Sequence, residues 1–70
     1  WINESIAEGR YGDEWLSVDD CVVEFFKAIP EAEDYVTSRS MRMALDVEGF
    51  KTVRRANGRG IVGYCIKREL

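Results

Sequence analysis

Residues 37–50, TSRSMRMALDVEGF, decide the fold. They predict a short helix with both ends marked. Ser38 is placed to cap its start, its hydroxyl oxygen accepting from a backbone N–H one turn on. Gly49 supplies the left-handed residue that ends it, and Phe50 leads into extended chain. Three-and-four spacing puts Met41, Ala44 and Leu45 on one apolar stripe, with Glu48 at its edge. Arg39, Arg42, Met43 and Asp46 point elsewhere. A helix with an apolar back and a basic, hydroxyl-rich front suits DNA reading, and it also describes many ordinary surface helices.

Upstream, Ser17-Val18-Asp19-Asp20 is a helix start: Ser17 caps, and the two aspartates favour the positive end of the helix dipole. Val18, Cys21, Val22, Phe25, Phe26 and Ile29 make a stripe broad enough for a central core helix, and Pro30 stops it near Ile29. Residues 31–36, EAEDYV, read as an acidic linker, with Tyr35 or Val36 packing at the entry to the next helix. Trp15-Leu16 reads as a very short strand. Residues 2–8, INESIAE, predict a short helix, and GRYGDE after it a loop whose Tyr11 folds back on the core.

Downstream, FKTVRRAN and IVGYCIKRE read as two strands around Gly58-Arg59-Gly60, with Asn57-Gly58 as the hairpin signal. The hairpin tip is expected to carry Arg55, Asn57 and Arg59. Val62, Tyr64 and Ile66 are expected on one face of the second strand.

The whole is an α+β domain of winged helix-turn-helix type: three short helices followed by a C-terminal β-hairpin wing. Residues 1–14 form an N-terminal helix and loop, either linker or part of the domain, and residues 15–70 form the winged helix. Such a helix fits the major groove of B-DNA, with the hairpin lying along the backbone. Arg39, Ser40 and Arg42 would then face the groove. Thr37 and Ser38 sit where helix N–H groups suit a phosphate. Arg54, Arg55, Asn57 and Arg59 would meet phosphates from the wing, with Lys51, Lys67 and Arg68 as weaker contacts.

The net charge of −3 conceals a division along the chain. Residues 1–35 hold two basic and ten acidic residues, a balance of −8, whereas residues 36–70 hold eight basic and three acidic, a balance of +5. This implies a domain with an acidic and a basic side, the latter inviting phosphates. Seventy residues allow one small core. No apolar run reaches the roughly 20 residues that span a bilayer, so no membrane partner is expected. Cys21 and Cys65, 44 positions apart, read as reduced, packed thiols of a cytoplasmic protein. With two cysteines and no histidine, a structural zinc site is not expected, nor is any cofactor. The start at Trp1 without methionine reads as a piece of a longer protein.

Several residues in the second half carry a resemblance. Ser38-Arg39-Ser40-Met41 is followed by Leu45, Glu48-Gly49-Phe50, a run of arginines, a Gly-Arg-Gly turn and Val62-Gly63-Tyr64-Cys65-Ile66. Together these resemble the C-terminal winged-helix domain of phage and plasmid primase–helicases, superfamily 3 ATPases of the poxvirus type. The resemblance covers roughly residues 15–70. Met41 departs from it, standing where an aromatic is expected, as does the acidic first half. It implies a DNA-binding appendage, duplex DNA favoured, whose ATPase and primase sites lie in other sequence. The chain itself holds no Walker-type loop and no Ser/His or Cys/His pairing, so no catalysis is expected within it. Two other readings stand beside this one. The first is a protein-interaction winged helix that docks other domains or subunits through its acidic half. The second is a small phage-type transcriptional regulator.

Overall fold

The computed structural model describes residues 1–67, an α+β arrangement in which helices and antiparallel strands share one core. Arg68 lies outside the described residues. The central element is α2, Val18–Ala28. Ser17 caps it as expected, its Oγ accepting from the Asp20 N–H at 3.0 Å. Val18, Cys21 and Val22 are buried, while Phe25 and Phe26 pack half-buried against the same core. Pro30 does end the helix, but the acidic segment after it is more than a linker. Pro30–Asp34 forms a 3-10 helix, because proline at its first turn pre-sets the backbone angle and Ala32 is small enough to bury completely. Val36, and not the exposed Tyr35, packs on the core at the entry to the next helix.

That next helix, α3, spans Ser38–Val47. Its cap is Thr37, one residue earlier than expected. Thr37 Oγ1 accepts from the Ser40 N–H at 3.2 Å, and Ser40 Oγ accepts from the Thr37 N–H at 2.8 Å. This reciprocal box outcompetes Ser38 because it satisfies two orphan donors at once. At the other end Gly49, at φ +92°, turns the chain left-handed. Phe50 N–H donates to Leu45 O, and Gly49 N–H to Asp46 O, which is a Schellman closure. Met41 and Leu45 are buried, in keeping with their spacing.

The N-terminal segment differs from its reading. Helix α1 is confined to Ile2–Ser5, and Ile6–Glu8 is strand β1. The apolar spacing of Ile2 and Ile6 is compatible with a turn of helix, but tertiary pairing decides otherwise. Strand β1 joins β5, Tyr64–Ile66, antiparallel, with Ile6 opposite Ile66 and both buried. Trp1 meets Phe25 edge-on, with ring centroids 5.2 Å apart. Tyr11 does not fold back on the core; it is 82% exposed.

The second sheet has the order β2-β4-β3, formed by Trp15–Ser17, Gly58–Val62 and Val53–Arg55. The hairpin turns at Ala56-Asn57, so Gly58-Arg59-Gly60 lies in β4 and not at the tip. The second strand is also not continuous. It breaks at Gly63, whose N–H and C=O are taken by Glu14 O and Gly9 N–H, clamping the preceding loop to the sheet. The break shifts the alternation, so Ile61 is buried and Val62 is exposed, contrary to the expected Val62–Tyr64–Ile66 face.

Gly60 is the tightest point of this sheet. A Cβ there would stand 2.6 Å from Leu16 O and 2.8 Å from Trp15 Cζ2. Gly60→Ala is therefore expected to cost about 1–3 kcal/mol, the usual penalty of overpacking. Urea unfolding monitored by tryptophan fluorescence would measure it, and an unchanged midpoint would refute the close approach.

Cys21 is free and completely buried, and burial pushes its thiol pKa up to about 12, with the charge of Asp20 adding to the effect. A free cysteine ionises near 8.5, so across roughly pH 8–11 the folded chain withholds the reactive thiolate. Stability from the neutral thiol is thus fully present at about pH 7 and declines as pH climbs from the unfolded towards the folded value. Labelling by iodoacetamide at about pH 9 should be far slower at Cys21 in buffer than in urea, with mass spectrometry as the readout.

Candidate nucleic-acid interface

The register of the three-stranded sheet sorts the basic residues of the hairpin onto two faces. Residues directly opposite one another share a face. Leu16 pairs with Ile61, both buried, which marks the helix side of the sheet. Two positions along β4, Arg59 falls on that same side, and Arg54 stands directly opposite it. Arg55 belongs to the other face with Trp15 and Gly60. Because Gly60 has no side chain, the Trp15 ring crosses β4 and reaches β3, where the Arg55 guanidinium lies 4.5 Å from the ring centroid. This cation–π contact holds Arg55 away from the helix side.

On α3, the apolar stripe faces the core, so the first half of the helix presents Arg39 and Arg42 outward. The helix lies such that these two meet the hairpin. A groove of about 310 Å³ is lined by Arg39 and Arg42 of α3, Arg59 of β4, and Val18, Asp19 and Ser38. Arg39 and Arg59 are exposed and Arg42 is half-buried. Among the described residues, none of Arg39, Arg42, Arg54 and Arg59 forms an ion pair. One carboxylate, that of Asp19, enters the groove. It accepts a hydrogen bond from Ser38 Oγ at 2.6 Å. Three guanidiniums against one carboxylate leave the groove positively charged.

Of the residues singled out in the sequence, Ser38, Arg39, Arg42 and Arg59 thus come together, with Arg54 beside Arg59. Thr37 and Ser40 are engaged in the helix cap, and the Ser40 hydroxyl donates to Thr37 O at 2.9 Å. The single hydroxyl proton of Ser38 goes to Asp19. Either serine would have to give up its present acceptor to donate to a phosphate. Asn57 sits in the hairpin turn, and Arg55 lies on Trp15. Lys67 lines a separate groove with Trp1, Glu4 and Lys27. Val18 and Asp19 escape sequence reasoning as lining residues because nothing in a helix N-terminus announces what packs across from it. Met43, 57% exposed on the outward side of α3, carries no signal beyond its helical position.

The described residues contain no group of three His, Cys, Asp or Glu that could hold a metal ion, and no helix among them is long and apolar enough to cross a membrane. No protein-family model, curated protein or solved structure matches the chain.

Like charges opposed across a strand pair destabilise it. Arg54→Gln is accordingly expected to leave the fold unchanged and to raise stability by up to about 1 kcal/mol at low salt, with the gain shrinking as salt screens the pair. Thermal melts of both proteins at low and high salt would check this. A loss of stability would mean that Arg54 has a structural partner.

Proposed function

We propose that this chain is a winged-helix module that binds duplex DNA, with α3 entering the major groove and the β3–β4 hairpin acting as the wing. The observation that carries this reading is the arginine groove. Arg39, Arg42 and Arg59 arrive from two elements, line one concavity, and have no carboxylate partner among the described residues. Stability alone gives no reason to gather unpaired cations, whereas a polyanion releases counterions on meeting them. The order of elements supports the winged-helix assignment. Strand β2 leads directly into α2, then comes α3, and the hairpin after α3 pairs back on β2 through β4. This pairing brings the wing alongside α3.

On this reading, the arginines lining the groove make the phosphate and base-edge contacts, and Arg54 adds a phosphate contact from the wing. Arg42, nearest the buried side, is the candidate for bidentate recognition of guanine. The resemblance to primase–helicase C-terminal domains adds a proposed setting, in which the module delivers a larger replication protein to DNA. The chemistry of that parent would reside in other domains.

Fluorescence anisotropy with a labelled duplex at two salt concentrations tests the reading. Affinity should fall steeply with salt. Arg59→Gln should weaken all sequences alike and lower the salt slope by about 1, the worth of one phosphate contact. Arg42→Gln should also flatten the preference among sequences. Arg55→Gln should do little, because that guanidinium is committed to Trp15. An absence of binding at low salt would overturn the proposal.

A further inference from the structure

The outward side of α3 changes character along its length. Arg39 and Arg42 occupy the first half; Met43, Asp46 and Val47 occupy the second. Met43 is 57% and Val47 85% exposed, and neither belongs to the core cluster. Arg39, Met43 and Val47 succeed one another at four-residue spacing, so they form a row on one flank of the helix. Successive members are about 6 Å apart along the axis, given the rise of about 1.5 Å per residue. The row therefore runs from a cation to two uncovered apolar groups.

Asp46 lies beside the apolar pair, exposed and without an ion pair among the described residues. A carboxylate there repels phosphates, so the second half of α3 does not track the DNA backbone. With the helix in the major groove, its second half lies over base edges. The apolar group displayed on that floor is the thymine C5-methyl.

We infer that Met43 and Val47 form a thymine-reading patch in this same DNA interface, covering C5-methyl groups next to the base that Arg39 or Arg42 engages. The inference rests on the proposed DNA-binding function and names the bases its helix prefers. Each covered methyl is worth about fourfold in affinity, the value of burying one methylene-sized group. Asp46 adds discrimination by excluding phosphate and accepting from an exocyclic amino group.

The test uses two duplexes in which guanines are flanked by adenine–thymine pairs, identical except that uracil replaces thymine in one. They are titrated against the unaltered chain and against Met43→Ala and Val47→Ala. Both positions are exposed, so neither substitution removes core packing. The expected result is weaker binding of the uracil duplex by about fourfold per methyl lost, with Met43→Ala erasing most of the difference. Equal affinity for both duplexes, with salt-sensitive and Arg42-dependent binding retained, overturns the thymine patch and leaves the DNA-binding function standing. A difference that survives in both alanine variants also overturns the patch, since it would report duplex shape. No binding of either duplex at low salt overturns both readings together.

Discussion

The close approach of Gly60 to strand β2 is the constraint on which the remaining arrangement depends. Only a residue without a side chain can sit beneath the Trp15 ring while its own backbone pairs with Ser17. That contact fixes the register of β4 between β2 and β3. A slip of one residue would exchange the faces of β4, sending Arg59 outward and driving Gly60 into the core. The groove at α3 exists because this register is held. The same strand ties the segment before α2 to the segment after α3, so the two helices are enclosed within one closed connection. Burial of Ile61 and Leu45, both under 2% exposed, lies on the inner side of that closure.

The charge division in the sequence does not become two separate faces. Asp19, from the acidic half, stands inside the arginine groove, where it holds the Ser38 hydroxyl and serves the N-terminus of α2. Its presence sets the entry of α3 against α2, since the bond runs between their first turns. The arginines around it remain unpaired with any carboxylate among the described residues. A surface arranged for stability alone would interleave the signs, as Lys27 and Glu24 do on α2 at 3.3 Å. Leaving the groove without such pairs is a cost carried by the fold, and it is what singles the groove out.

The elements with strong local signals were legible in the sequence. Helix α2 carries a cap, a dipole-matched first turn, a broad apolar stripe and a terminal proline, each pointing the same way. Helix α3 carries its stripe and its Gly49 stop, although the cap moves by one residue because Thr37 and Ser40 form a reciprocal pair that Ser38 cannot. The sequence marks arginines on α3 and along the hairpin, but not which of them, Arg39, Arg42 and Arg59, line one groove together. The features that stay hidden are non-local. Ile6–Glu8 becomes a strand only because Tyr64–Ile66 is there to pair with it. The break at Gly63, which reverses the faces of Ile61 and Val62, depends on the loop from Gly9 to Glu14 taking both of its backbone groups. The division of Arg54 and Arg59 from Arg55 comes from a register that no run of basic residues announces.

The same geometry bears on what kind of anion the groove would suit. A small free anion is usually held by converging backbone N–H groups at a helix start or a nest. Here the α3 start is partly used up: Thr37 and Ser40 satisfy each other, and Ser38 gives its proton to Asp19. On the proposed reading, binding would rest instead on long, permanently charged guanidiniums from two elements, arrayed along an open groove. Such an array places successive positive charges at a spacing and leaves the ends open. It suits a polymer that passes through more than a molecule that must be enclosed. On the proposed reading, the exposed row of Arg39, Met43 and Val47 extends this logic from the backbone to the bases. On that reading, charge would hold the duplex at one end of the helix and apolar surface would meet it at the other.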